Sequence, residues 1–233
     1  MAANRKLLAA AAACAAAVIG VTGCSSDGGG DKDPFEGMSA DKIAKKASKA
    51  SKNAGSFSMK SEVKADGAQT TGTFSVAEGG DCTATIDSSK MGHSELLHVG
   101  KAQYVKADEK FWKASAGATI AGRVKGRWVK TPGARGGGSA CNLDNMFESK
   151  KLKGLKREKD AEVNGTKAAV LVKKKGKETT TFYVAMEGKP YFLRVTNDGD
   201  DKGTATFSDF GKPVDVKAPA ADEVVDQKEL AGL

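Results

Sequence analysis

This chain of 233 residues contains only two histidines, His93 and His98, as candidates for catalysis or metal binding. They stand five positions apart in a segment whose alternating pattern predicts a β-strand. Their side chains therefore point to opposite faces and cannot bind one metal ion together. A zinc site made of Cys82, His93 and Cys141 is a weaker alternative. The sequence thus predicts no metal site and offers little material for a Ser-His-Asp or Cys-His catalytic set.

The usual sequence signatures of enzymes and nucleotide-binding proteins are also missing. We find no GxSxG or HExxH motif, no phosphate-binding loop and no dinucleotide fingerprint. The glycine-rich stretch 133–139 lacks the lysine that a phosphate cradle needs, and it is interpreted as a plain loop. We therefore expect no cofactor, no catalytic residues and no enzymatic activity.

The cysteine with the most specific surroundings is Cys24, which follows Val21-Thr22-Gly23. A basic start at Asn4-Arg5-Lys6 precedes an apolar run of about 15 residues that ends at Val21, which is typical of a secretory signal and too short to span a membrane. With a cysteine directly after small residues, this order resembles a bacterial lipoprotein signal, in which the peptidase cleaves before a cysteine that carries a diacylglycerol. We therefore expect residues 1–23 to be a signal peptide and Cys24 the lipid attachment site. Ordinary secretion with cleavage nearby is the alternative.

The part of the chain after residue 23 has 210 residues and a formal net charge of +6, since Arg5 and Lys6 are removed from a total of +8. Residues 25–34 contain no apolar side chain, which predicts a flexible tether over 24–37 and a single folded domain over 38–233. No later run of 18 apolar residues is present. We expect a monomer, anchored to the outer face of the cell membrane by its N-terminal lipid.

Positive charge outside the cytoplasm favours anionic lipid headgroups or anionic envelope polymers as partners, and it argues against nucleic acid. The segments 150–159 and 167–177 hold much of the excess charge. Solvated strand and turn surfaces are the plainer interpretation of both segments.

Cys82 and Cys141 are the two cysteines of the predicted domain. Thiols outside the cytoplasm meet an oxidising environment, so a disulfide between them is expected, with two free buried thiols as the alternative. Closing a loop of about 60 residues would stabilise the fold by roughly 4 kcal/mol in the chain-entropy description.

The pattern of apolar residues predicts one helix followed by many short strands. Residues 39–53 have helical spacing, with Ser39 as the N-cap and Gly55 as a stop signal. After Gly55 the period changes to two, and turn signals such as Asp66-Gly67 and Asn164-Gly165 recur along the chain. About ten hairpin-linked strands, with short helices between the two halves, predict an α+β fold built on a strongly curved or partly rolled antiparallel sheet.

Several short motifs resemble those of a known protein family. Tyr104-Val105-Lys106, Phe111-Trp112 and Gly126-Arg127-Trp128-Val129, together with residues 207–214 and Ala218-Pro219-Ala220, resemble the LppX/LprA/LprF/LprG lipoprotein family of actinobacteria. The resemblance covers roughly residues 38–226. It implies a half-open antiparallel barrel similar to the LolA/LolB lipoprotein carriers, with helices on the concave side and a hydrophobic cavity that holds acyl chains.

A set of apolar side chains is the candidate lining of that cavity, chosen because alternate residues of a strand share a face. The sequence leaves the strand register open, and for Trp112 and Trp128 simple core packing is an equal alternative. The candidate lining residues are Met59, Phe74, Val76, Leu96, Trp112, Val184, Leu193 and Val195.

We therefore expect a membrane-anchored lipoprotein that binds, and transfers or presents, acylated lipids or glycolipids in the cell envelope. The alternative is a lipid-anchored envelope adaptor or sensor with the same fold and no lipid cargo.

Overall fold

Residues 32–132, 147–148 and 152–230 are described by a computed structural model, and they form one large β-sheet with helices packed against it. The sheet contains twelve strands. They are β1 (Phe57–Ala65), β2 (Ala68–Val76), β3 (Cys82–Ser88), β4 (Gly92–Val99), β5 (Ala102–Ala107), β6 (Trp128–Pro132), β7 (Lys156–Val163), β8 (Thr166–Lys175), β9 (Glu178–Ala185), β10 (Phe192–Asp198), β11 (Lys202–Ser208) and β12 (Val224–Asp226).

The strand order is β12-β6-β5-β4-β3-β2-β1-β11-β10-β9-β8-β7, so β12 and β7 are the two edges and the sheet does not close into a barrel. Among the described strands every neighbouring pair is antiparallel except β12 and β6, which run parallel. The predicted curved antiparallel sheet is confirmed. Its strand count is twelve instead of about ten, in part because the C-terminal tail returns to the sheet as β12.

Four α-helices accompany the sheet in the described part of the chain. They are α1 (Ala40–Lys52), α2 (Glu109–Ala116), α3 (Ala118–Val124) and α4 (Gln227–Leu230). None of them has an apolar run long enough to cross a bilayer.

The predicted first helix is confirmed with its expected N-cap. The hydroxyl oxygen of Ser39 accepts a hydrogen bond from the backbone N–H of Lys42, at 3.4 Å. Asp41 lies in the first turn and Lys49 and Lys52 in the last, which suits the helix dipole at both ends. The buried face of α1 consists of Ala40, Ile43, Ala44, Ala47, Ser48 and Ser51.

Helix α1 packs against one face of the sheet, called the concave face below, and contacts β7, β9 and β10. Two buried serines fix its position: the Ser48 hydroxyl donates to the carbonyl oxygen of Phe147 at 2.6 Å, and the Ser51 oxygen accepts from the backbone N–H of Phe192 at 3.1 Å. These bonds satisfy polar groups that burial beneath the helix would otherwise leave unpaired.

Aromatic rings fill the space between α1 and the middle of the sheet. Phe57 is fully buried, and its ring centre lies 5.6 Å from that of Phe147 and 5.9 Å from that of Phe207. Phe192 stacks on Phe147, with ring centres 5.8 Å apart. This half of the concave face is therefore a packed core, which we call the aromatic core.

The folded domain begins earlier than the sequence pattern predicts. Phe35, assigned to the tether over 24–37, is only 2% exposed and packs in the aromatic core. Asp33 forms an ion pair with Arg157 on β7, at 2.6 Å, and this hydrogen-bonded guanidinium holds the pKa of the Asp33 carboxyl below its usual value. Phe35 is a single apolar side chain in a polar stretch, but because it packs in the core, the folded domain begins before residue 38.

Candidate ligand groove

A second apolar cluster lies on the concave face near the β12 edge of the sheet. Val124, Val129, Val225 and Leu230 are buried there, and Trp112 and Ile120 pack against them at partial burial. Strand β12 brings α4 to this place because Val225 pairs with Val129 of β6. Helix α2 contacts β4, α4 contacts β6 and β12, and α3 contacts both α2 and α4.

Between these helices and the sheet runs a groove of about 400 Å³. Its volume is at the lower end of the roughly 300–1,000 Å³ that small-molecule sites occupy. The sheet contributes two cross-strand pairs, Val105 with Val129 and Gln103 with Thr131. The helices contribute Phe111, Trp112, Ser115, Ala116, Ile120, Gln227 and Leu230.

The lining of this groove is mostly hydrocarbon, and no charged side chain is among the described residues that form it. Gln103, Thr131, Ser115 and Gln227 add uncharged polar groups. An apolar slot with a few neutral polar groups suits an acyl chain that carries an ester, amide or hydroxyl group. It does not suit a free anion or a metal ion.

Asp108 fixes the position of α2 relative to the sheet. One carboxylate oxygen accepts from the backbone N–H of Phe111 in the first helical turn, and the other accepts from the backbone N–H of His93 on β4, both at 2.8 Å. The bond from His93 and then the bond from Phe111 lower the pKa of Asp108 below its usual value. Gly92 makes room for this carboxylate, since a Cβ atom there would lie only 2.5 Å from its oxygens.

Asp108→Ala is therefore expected to lower the free energy of unfolding by about 1 kcal/mol, the usual cost of losing an N-cap. Asp108→Asn keeps an acceptor and serves as the control, with a smaller loss. Since the pKa of Asp108 is lower in the folded state, its contribution is present above the unfolded pKa near 3.8 and disappears as the pH falls through the folded pKa. Denaturant unfolding at pH 7 and pH 3 measures both effects. Equal stability of the Ala variant and the parent at pH 7 would contradict this role.

Helices α3 and α4 form another wall of the groove, and a glycine and an arginine fix their positions. Gly117, at φ 87°, ends α2 and begins α3, a conformation that favours glycine. The Arg123 guanidinium on α3 donates to the carbonyl oxygen of Leu230 on α4, at 2.8 Å. This bond holds α4 against α3 at the end of the groove.

Trp112 contributes to the groove a polar group, its indole N–H, that is buried and has no hydrogen-bond partner among the described residues. The ring stands edge-on to Phe111, with centroids 5.4 Å apart. Since buried donors are nearly always paired, this N–H is the strongest candidate in the groove for a contact with a polar atom of a ligand.

Of the eight residues that the sequence predicts to line a cavity, the structure places Trp112 in the groove. Six others belong to the aromatic core or pack against it: Met59, Phe74, Val76, Leu96, Val184 and Val195. Val184 is fully buried and Val76 nearly so, and none of these six side chains lines the groove beneath α2 and α3. Leu96 is the nearest to the groove, as it pairs with Val105 across β4 and β5.

The eighth residue, Leu193, is displaced by an irregularity in β10. The pairing between β9 and β10 shifts between Phe192 and Arg194, so Phe192 stands opposite Val184 and enters the aromatic core. Strict alternation from Val195 predicted Leu193 for that place. The register shift is a tertiary feature that alternation alone does not reveal.

The remaining candidates from the sequence lie elsewhere. Cys24 and Cys141 fall outside the described residues, whereas Cys82 is 1% exposed in the aromatic core. His98 pairs with Cys82 across the strands, and His93 bonds the Asp87 carboxylate at 2.7 Å on the opposite face. No group of metal-binding side chains occurs within the ranges that the structure covers.

The second tryptophan is not part of the groove. Trp128 precedes Val129 on β6, so it occupies the opposite face of the sheet, where the Lys106 ammonium lies 5.8 Å from the ring centroid. For Trp128 the packing alternative is therefore the better interpretation.

Comparison with known proteins identifies the fold. No known family and no curated protein matches the sequence. Among solved structures, the lipoprotein LppX of Mycobacterium tuberculosis matches with a TM-score of 0.51 at 13% identity, over 75% of this chain and 96% of LppX. This chain has the LppX fold.

Two weaker likenesses support no inference. The first is an uncharacterized conserved protein of Thermus thermophilus, at 10% identity over 79% of this chain and 97% of that one, with a TM-score of 0.40. The second is MucB in complex with MucA(peri), known from Pseudomonas aeruginosa, at 12% identity over 78% of this chain and 58% of that one, with a TM-score of 0.39.

The match to LppX confirms the half-open barrel that the sequence motifs implied. At 13% identity this match establishes the fold and does not identify a ligand.

Proposed function

We propose that this protein is a membrane-anchored lipoprotein that binds acylated lipids or glycolipids in the groove beneath α2 and α3 and transfers or presents them in the cell envelope. The groove is the observation that carries the proposal. It is apolar, it is lined without charge, and it lies at one end of a concave face whose other half is already filled by side chains.

Two further observations support this proposal. The chain shares the fold of a lipoprotein, and its N-terminal segment has the order of a lipoprotein signal with Cys24 at the cleavage point. The described residues of the groove also lack the charged groups that acid–base or nucleophilic catalysis uses, which favours a binding role over an enzymatic one. Acylated lipid that copurifies with the protein tests the proposal, since an adaptor or sensor of the same fold would carry none.

The anchoring part of the proposal predicts that Cys24→Ala releases the protein from the membrane fraction of its own cells. Two acyl chains give stable anchoring, whereas without them only weak surface contacts remain. Fractionation followed by a high-salt wash measures the effect, and Cys14→Ala is the matched control that should stay bound. A Cys24→Ala protein that remains in the washed membranes would contradict the anchor.

A disulfide between Cys82 and Cys141 is the second structural proposal that follows from export. Peptide mapping without reductant should recover the two cysteines in one linked pair, and two free thiols would refute it. Reduction should then lower the melting temperature by several degrees, since such a bond contributes about 2–4 kcal/mol. The melting temperature of the Cys82→Ser variant should be lower than that of the oxidised parent, and reductant should not change it.

A further inference from the structure

Helix α1 carries a row of lysines on the side that faces away from the sheet. Lys42, Lys45, Lys46 and Lys49 are all exposed. At 3.6 residues per turn they fall within an arc of about 100°, directly opposite the buried face of the helix. We call these four residues the lysine face.

The four ammonium groups of the lysine face form no ion pair with the described side chains. Within the ranges that the structure covers, no carboxylate lies within salt-bridge distance of these four ammonium groups. The one acid on the helix, Asp41, lies one turn before Lys45 and attracts its ammonium group without an ion pair, while its oxygens accept the backbone N–H groups of Gly154 and Leu155 at 3.1 and 2.8 Å. A face with four adjacent positive charges and no pairing attracts a negatively charged surface.

The position of the anchor indicates which surface that is. Asp33 and Phe35 are fixed to the domain beside α1, through Arg157 and through the cluster that also contains Ala40 and Ile43. Asp33 follows Cys24 by nine positions, and a fully extended chain spans at most about 3.6 Å per residue. If Cys24 is lipidated, the point where the tether enters the domain stays within roughly 30 Å of the bilayer.

From the charge and the short tether we infer that the lysine face docks on the anionic lipid headgroups of the membrane that holds the anchor. This inference rests on the proposed anchoring and adds a second, electrostatic contact to it. A lipid anchor combined with a basic patch binds more firmly than either signal alone. Docking through α1 keeps the domain on the bilayer surface instead of leaving it free on its tether.

The test uses the mature full-length chain with Cys24→Ser, so that the outcome does not depend on whether Cys24 is lipidated. Its binding is measured on vesicles of phosphatidylcholine and on vesicles that also contain phosphatidylglycerol. The variant replaces Lys42, Lys45, Lys46 and Lys49 by glutamine. The control replaces four exposed lysines outside α1, at positions Lys60, Lys64, Lys130 and Lys177, and so changes the net charge equally.

We expect the parent to prefer the anionic vesicles at about 0.1 M salt and to lose this preference near 1 M, where the screening length falls from about 10 to about 3 Å. The lysine-face variant should bind at least about tenfold more weakly, since each lysine near such a surface contributes a severalfold change. The control should stay within about twofold of the parent. Circular dichroism and melting temperature of both variants establish that they fold as the parent does.

Three results would overturn the inference. An equal loss in both variants would show that only net charge matters. A parent without preference for anionic vesicles would show that there is no docking surface. Binding of soluble polyphosphate that is tighter than binding to the anionic vesicles at equal concentration of negative charge, and that is lost in the lysine-face variant, would make an anionic polymer the partner instead of the membrane. None of these results bears on the Cys24 anchor, which the fractionation experiment tests separately.

Discussion

Val105→Trp is expected to weaken the binding of a fluorescent fatty-acyl probe by at least about tenfold, a loss of roughly 1.4 kcal/mol in binding free energy. Val105 is half-buried on β5 and forms the floor of the groove together with Val129. An indole at this place takes up a large share of a space of about 400 Å³. Because the side chain enters open space, the melting temperature should change by only a few degrees.

The matched control for this substitution is Val63→Trp. Val63 is 39% exposed on β1 and does not line the groove, so it accepts the same chemical change in another place. Its probe affinity should equal that of the parent. If both variants bind the probe as tightly as the parent does, the probe does not occupy the groove beneath α2 and α3.

Phe57→Ala should produce the largest loss of stability, about 3–5 kcal/mol in the free energy of unfolding. The Phe57 side chain is fully buried, and its ring contacts the rings of Phe147, Phe207 and Phe210 at centroid distances below 6 Å. Its removal leaves a cavity that the surrounding rings fill only in part. For a domain of this size the melting temperature should fall by roughly 10 °C.

Two comparisons separate the aromatic core from the groove. Phe111→Ala removes the same ring from a half-buried position at the groove and should cost clearly less than Phe57→Ala. Val184→Trp adds an indole to the aromatic core, where overpacking should destabilise the fold by about 1–3 kcal/mol. A Val184→Trp protein with the stability of the parent would mean that this half of the concave face has unfilled space.

The sequence was sufficient for most of the strands and for the first helix because local signals mark them. Turn pairs such as Asp66-Gly67 and Asn164-Gly165 adopt the positive φ that they predict, and Ser39 begins α1 as expected. Alternation also placed Met59 and Phe74 correctly on one face, where they are cross-strand partners. These features depend on residues close together in the chain.

The location of the cavity depended on information that is not local. Val184 and Val195 are apolar and face the concave side, but α1, Phe35 and Phe147 cover the cluster to which they belong. The groove instead uses Val105 and Val129, which lie in motifs that the resemblance had singled out, and Leu230, which lies in the tail. Only the parallel return of β12 brings Leu230 to Ile120, and no spacing in the sequence indicates that contact.

Phe35 illustrates the same limit at the other end of the chain. Composition alone assigned it to the tether, because its neighbours are polar and small. In the structure its ring is buried against the residues of α1, and this contact moves the start of the domain toward the predicted anchor. Amino-acid composition is averaged over several residues, so it does not reveal that the Phe35 side chain alone is buried.

We propose above all that the groove beneath α2 and α3 holds acylated lipid. The most direct test of this proposal is mass spectrometry of organic extracts from the Cys24→Ser protein, exported by its own cells with its signal segment and purified without detergent from the fraction released from the membrane. We predict acylated lipid in amounts comparable to the protein, and a strong reduction in the Val105→Trp variant purified in the same way. Extracts of the parent without bound lipid, from a protein that is folded by circular dichroism, would contradict the claim and favour an adaptor or sensor that uses this fold without a lipid cargo.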